Sequence, residues 1–197
     1  MNRKGGTWRL VTLGVSSMLA LVLVGSTAHA ASPHTFIVAS EAGDTWTRGP
    51  FTVGLSQLTF GHDGCLGLDP SGYCLSGSWP KVNRAHWIWA EQMVTQEEAV
   101  YGTSATFLKE FEIPETAIDL AGVIRITADD EYIVMLNGHA IGTDGTVGTV
   151  DSYVLDTAIE RGLNRIKVLV KGRPQLNGTP ATNPAGLAYL VTLSYVA

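Results

Sequence analysis

The chain has 197 residues, 45% of them apolar and 16% charged, with 13 basic and 18 acidic side chains for a formal net charge of −5. That length suits one domain able to bury its own core without metals or many disulfides. The acidic balance argues against nucleic acid or an anionic membrane surface as a partner, since both demand a basic face.

Arg3, Lys4 and Arg9 precede an uncharged apolar run from Leu10 to Gly25, and Ala28-His29-Ala30 follows as a small-x-small peptidase signal. Residues 1–30 are therefore expected to be a signal peptide cut after Ala30, with residues 31–197 as a single secreted domain, extracellular or periplasmic. The apolar run is shorter than the roughly 20 residues a spanning helix needs. The first cysteine is Cys65, so no lipid-bearing cysteine is indicated at the new N-terminus, and the mature protein is expected to be free of the membrane. Cleavage would remove three basic residues and no acidic one, leaving 10 against 18 and a net charge of −8.

Cys65 and Cys74 flank the turn Gly67-Leu68-Asp69-Pro70-Ser71-Gly72. In an exported protein, close cysteines in even number read first as a loop-pinning disulfide, worth roughly 2 to 3 kcal/mol. Trp79 stands beside Pro80 in a Gly- and Ser-rich loop and is a candidate exposed platform. Trp87 and Trp89 follow, two residues apart and so expected on one strand face with Ile88 opposite, in the core. Thr95 to Ala99 is expected to form a turn or two of helix. Phe107, Phe111 and Ile113 share the inward face of the next strand, with Lys109 among them at a sheet edge or reaching out to water. Ile124, Ile126 and Ala128 line another inward face.

Tyr132 to Leu136, then Asn137-Gly138, then His139 to Gly142, read as a hairpin, because Asn and Gly both accept the positive φ of a type I′ turn. Asp156 to Arg161 is expected to give a second short helix, ended by Gly162. Ile166, Val168 and Val170 alternate with Arg165, Lys167 and Lys171, and Leu187, Tyr189, Val191, Leu193 and Tyr195 repeat the period of two. Asn177-Gly178-Thr179 matches a glycosylation acceptor and marks a surface loop. Several such strands separated by Gly, Pro and Asp turns predict an all-β antiparallel β-sandwich.

The sequence contains no Walker loop, GxGxxG, GxSxG or HExxH pattern, and His62, His86 and His139 have no metal-ligand spacing. Nothing selects two acids as a glycosidase pair, so a catalytic role is not expected. Asp129, Asp130 and Glu131 form the dense acidic cluster. Its carboxylates could ligate a structural calcium with a third acid from Asp144 or Asp151, or one Asp could cap the turn through backbone N–H groups. Trp79 and Tyr101 offer aromatic faces of the kind that stack on sugar rings while nearby polar groups bond the hydroxyls.

The run Ala128-Asp129-Asp130-Glu131-Tyr132-Ile133-Val134-Met135-Leu136-Asn137-Gly138 resembles the ADD-x-x-x-V-x-L/V-NG hairpin of galactose-binding-like jelly-roll domains in secreted bacterial proteins. Trp87-Ile88-Trp89, the Phe107 to Pro114 strand, Arg161-Gly162-Leu163-Asn164 and Asn183-Pro184-Ala185-Gly186-Leu187 agree in order, so the similarity runs from about Phe36 to Tyr195. The resemblance implies a jelly-roll sandwich, and, as an expectation, a non-catalytic module binding carbohydrate through loops at one end, in some members with calcium. Trp79, Tyr101, Asp129 and Asp130 are the candidate ligand contacts, and Asp129, Asp130 and Asp144 the candidate calcium ligands. The rival reading is a structural or adhesive protein that engages other proteins or copies of itself.

Overall fold

Residues 32–48, 52–58 and 80–197 are described by the structure, a computed structural model, and all of them fall in the compact unit Ala31–Ala197. The expected cleavage at Ala30, the Cys65 to Cys74 bridge and the Trp79 platform lie outside those residues. Among the described residues no helix is long and apolar enough to cross a membrane.

The described residues form twelve strands: β1 (Pro33–Ala39), β2 (Thr45–Arg48), β3 (Thr52–Leu55), β4 (Gln57–Leu58), β5 (Ile88–Trp89), β6 (Thr103–Ile113), β7 (Ile118–Asp129), β8 (Glu131–Leu136), β9 (His139–Asp144), β10 (Asp151–Val154), β11 (Gly162–Gly172) and β12 (Gly186–Val196). Among the described residues one helix is formed, α1 (Gln96–Tyr101), just before β6. The first sheet has the order β10-β7-β12-β5-β4, with β1 also paired to β12. The second has the order β3-β2-β6-β11-β8-β9. Every pairing is antiparallel, and both sheets contribute to one hydrophobic core, so the fold is an all-β antiparallel sandwich.

Strand β11 shows why the sheets face each other as they do. Its burial alternates without a break, Ile166, Val168 and Val170 inward and Arg165, Lys167 and Lys171 outward, as a half-buried strand requires. On β12, Tyr189, Val191 and Leu193 enter the same core. Ala188 and Leu190 on its other face are buried too, beneath Val82 and Trp87. The first sheet is thus covered outside by the segment leading into β5.

That cover changes the expected placing of the tryptophans. Trp87 packs in the outer cluster and donates its indole N–H to the Pro80 carbonyl (3.2 Å), whereas Ile88 and Trp89 both lie in the main core. Strand β5 is two residues long, too short to impose alternation on Trp87, so the shared face expected for the pair is not formed. Asp156 to Arg161 likewise forms a turn and no helix. Leu155, Ala158 and Ile159 are all buried in the core, and the Asp156 carboxylate accepts the Gly122 N–H (2.9 Å), which anchors the segment to β7 after one turn.

The β8–β9 hairpin forms as expected, with Asn137 and Gly138 at φ 51° and 84°. Asn137 does more than turn the chain. Its side-chain oxygen accepts the Arg165 N–H (2.8 Å), and its amide donates to the Ala158 carbonyl (3.0 Å) and to Asn164 Oδ1 (2.8 Å). Asn164, fully buried, donates in turn to the Glu160 and Gly162 carbonyls and accepts the Glu160 N–H. The Asn-Gly and Gly-Leu-Asn runs noticed in the sequence are therefore two halves of one polar clasp beneath the hairpin.

Lys109 lies on the inward face of β6, between Phe107 and Phe111, one residue past Leu108, where the pairing of β6 with β2 ends, so it stands near a sheet edge as expected. Its ammonium bonds Glu41 (2.6 Å) and the buried Asp44 (2.7 Å), so it ends on carboxylates instead of in water. Asp44 also accepts the Tyr189 hydroxyl (3.0 Å), and the group bridges the two sheets.

Candidate functional site

Helix α1 is only six residues long and is held by its ends. Thr95 caps it in a reciprocal box with Glu98, each side chain bonding the other residue's backbone N–H. Gly102 follows at φ 85°, where a Cβ would stand 2.8 Å from the Gly172 carbonyl, so only glycine lets the helix end meet the end of β11. Asn183 fastens the same corner by donating to the Ala99 and Arg173 carbonyls (2.7 and 2.9 Å), and Gln96 reaches the Gly178 carbonyl (2.7 Å). The outcome is a fixed backbone at the end of α1, from which the Tyr101 side chain stands 75% exposed.

Tyr101 borders a cleft of about 430 Å³ with Arg48, Glu98, Thr103, Ser104, Lys171 and Pro174 along its walls. Arg48 donates Nε–H to the Ser104 carbonyl (3.0 Å), pairs Nη1 with Glu98 (2.5 Å), and lies 5.5 Å from the centre of the Trp46 ring. Partial burial would raise the Glu98 pKa, but bonds from Thr95 and Thr103 and the Arg48 charge outweigh it and hold the carboxyl below its ordinary value. Glu98 is an ionised acceptor already engaged on several sides.

Across Lys171 lies a second cleft of about 440 Å³, bounded by Glu131, Ile133, Thr143, Asp144 and Leu169. Arg173 braces its rim, donating to Glu131 (2.7 Å) and to the Gly145 carbonyl (3.2 Å). The hydrogen bond and charge of Arg173 pull the Glu131 pKa down. Burial opposes the same shift at Asp144, where N–H groups of Gly145 and Thr146 prevail and lower it. Beneath, the Tyr132 hydroxyl donates to Asp151 (2.7 Å) and contacts the Tyr153 hydroxyl (2.9 Å). Burial and these neighbours push the Tyr132 pKa far up, so the phenol stays protonated.

Of the residues singled out in the sequence, Tyr101 stands on the first cleft and Asp144 on the second. Asp129 is buried at the end of β7, and Asp130 accepts the Arg173 N–H, which shapes the loop between the clefts. Among the described residues, no group of three or more His, Cys, Asp or Glu is placed to hold a metal ion. Arg48 and Pro174 carry no periodic or motif signal that would have marked them, whereas Glu98 closes the Thr95-x-x-Glu capping signature that the sequence does carry. Lys171 was visible only as one more outward cation on β11.

No family model matches the chain, and no curated protein matches it. Among solved structures it is similar to a β-glucuronidase of Bacteroides uniformis, at 14% identity and TM-score 0.46 over 82% of this chain and 18% of that one. It is also similar to a β-glucuronidase of Bifidobacterium dentium, at 15% identity and TM-score 0.43 over 82% of this chain and 30% of that one. An α-L-rhamnosidase of Aspergillus terreus matches at 22% identity and TM-score 0.35, over 44% of this chain and 12% of that one. The chain thus spans less than a third of the length of each.

Proposed function

We propose that this β-sandwich is a secreted, non-catalytic carbohydrate-binding module whose site is the cleft beside Tyr101. One observation carries the reading: a largely exposed aromatic side chain, carried on the end of a capped helix, borders a cleft lined by Arg48, Glu98, Lys171, Thr103 and Ser104. A sugar ring presents an apolar face of C–H groups and a rim of hydroxyls, so it needs such a pairing of aromatic surface with donors and acceptors. Fixing the backbone beneath Tyr101 leaves only its side chain to be ordered on binding.

The acid of this cleft suits binding better than hydrolysis. A glycosidase's general acid has a raised pKa and a second carboxylate facing it, whereas Glu98 is pulled below its ordinary value by Arg48 and two threonines. It serves as an acceptor and as an anchor for Arg48.

A glycan array followed by titration calorimetry tests the reading. Selective binding is expected, persisting in a chelator because side chains supply the contacts. Tyr101→Ala is expected to weaken it about tenfold, the equivalent of about 1.4 kcal/mol, with melting temperature unchanged because the ring packs on little. Self-assembly or capture of a protein partner, with no sugar bound, would favour the structural or adhesive alternative.

A further inference from the structure

The two clefts flanking Lys171 are aligned by the strand register of the second sheet. Arg48 at the end of β2 bonds Ser104 of β6, Ser104 pairs with Lys171 of β11, Lys171 pairs with Glu131 of β8, and Tyr132 next to it pairs with Asp144 of β9. These backbone positions run across five adjacent strands, with the side chains of Ser104, Lys171 and Glu131 on the outward face and Asp144 on the inward face of its partner Tyr132. Four interstrand steps of about 4.8 Å give a row of roughly 19 Å, several times the width of one sugar ring. Lys171 stands at its centre and lines both clefts.

From this row the geometry points to an extended site for a neutral, linear oligosaccharide, with Tyr101 holding one end and the cleft over Ile133 and Leu169 holding the other. The inference rests on the reading of the Tyr101 cleft as a sugar site and adds its length and ligand class. Ile133 and Leu169 are cross-strand partners, each about two-fifths exposed, and form an aliphatic floor one pleat below Glu131 and Lys171. The charges along the row are mixed, with Arg48 held by Glu98 at one end, Lys171 at the centre and Glu131 held by Arg173 beyond it. Hydroxyls both donate and accept, so a neutral glycan suits such a row, whereas the basic groups Arg48 and Arg173 are already engaged by Glu98 and Glu131 and leave little to meet a polyanion.

Titration of the purified protein with monosaccharide to hexasaccharide series of gluco-, xylo-, manno- and galacto-oligosaccharides separates the possibilities. Affinity in the series that binds is expected to rise at least tenfold from disaccharide to tetrasaccharide and then level off. Ile133→Ala combined with Leu169→Ala is expected to abolish that gain while leaving disaccharide affinity unchanged, since both side chains are exposed and contribute little to the core. Binding that is independent of chain length, or a tetrasaccharide gain that survives the double variant, would overturn the extended site and leave the Tyr101 cleft standing. Failure of every series to bind would overturn both.

Discussion

A lysine pointing into a core is costly unless its charge is met, and Lys109 is met twice. Burial alone would lower its pKa, yet the hydrogen bonds and charges of Asp44 and Glu41 outweigh that and raise it. A raised lysine pKa stabilises the fold at every pH below its ordinary value and withdraws that support only in strong alkali. Asp44, 3% exposed, also carries the Tyr189 hydroxyl, whose own pKa burial pushes well up. Asp44→Ala is therefore expected to cost about 3 kcal/mol in urea unfolding, because it leaves a half-buried cation and a buried hydroxyl without their acceptor. Replacing Lys109 by Met together with Asp44 by Leu should recover part of that loss. The inward position of Lys109 was legible from the period of two. Its partners were not, since Glu41 and Asp44 precede it by 68 and 65 residues.

Among the elements, the long strands were readable and the short ones were not. Strands β11 and β8 bury one face in strict alternation and the Asn-Gly turn after β8 agrees with them, while β12 keeps the period of two in sequence although both its faces are buried over Gly186 to Val191. Strand β5 pairs through two residues and takes its placing from a covering segment that periodicity does not encode. The Asn137–Asn164 clasp is the feature that ties readable elements together. Asn164→Ala removes four hydrogen bonds at a fully buried site and leaves Glu160, Gly162 and Asn137 groups unmet, a loss expected to reach about 2 to 3 kcal/mol. Native-state hydrogen exchange should show it as faster exchange of the amides at the β8–β9 turn and the start of β11, with β1 and β12 less affected.

For the whole molecule, the lowered carboxylates set an acid limit. Glu98, Glu41 and Glu131 all titrate below their ordinary value of 4.5, so each contributes stability that is present above that pH and is lost as pH falls through its lower folded pKa. Glu41 and Glu131 are solvent-exposed and screened, which leaves Glu98 as the main contributor. The melting temperature is expected to fall from about pH 4.5 downward, and Glu98→Gln should flatten that slope while lowering the plateau. Export with cleavage after Ala30 predicts a mature N-terminus at Ala31, checked by intact mass. The same spectrum, with and without reductant, reads the Cys65 to Cys74 bridge as a gain of two hydrogens on reduction.

The amino-acid sequence by itself determined the β class, the principal strands with their inward faces, and the turn that joins β8 to β9. Those properties follow from side chains two positions apart or adjacent, and alternation and turn chemistry act over that range. Only the tertiary structure decided that Tyr101 stands open beside Arg48 and Glu98, and that Lys171 lies between two clefts in a row running from β2 to β9. Such neighbours are set by sheet order and by register between strands distant in the chain, and no local pattern of residues records either.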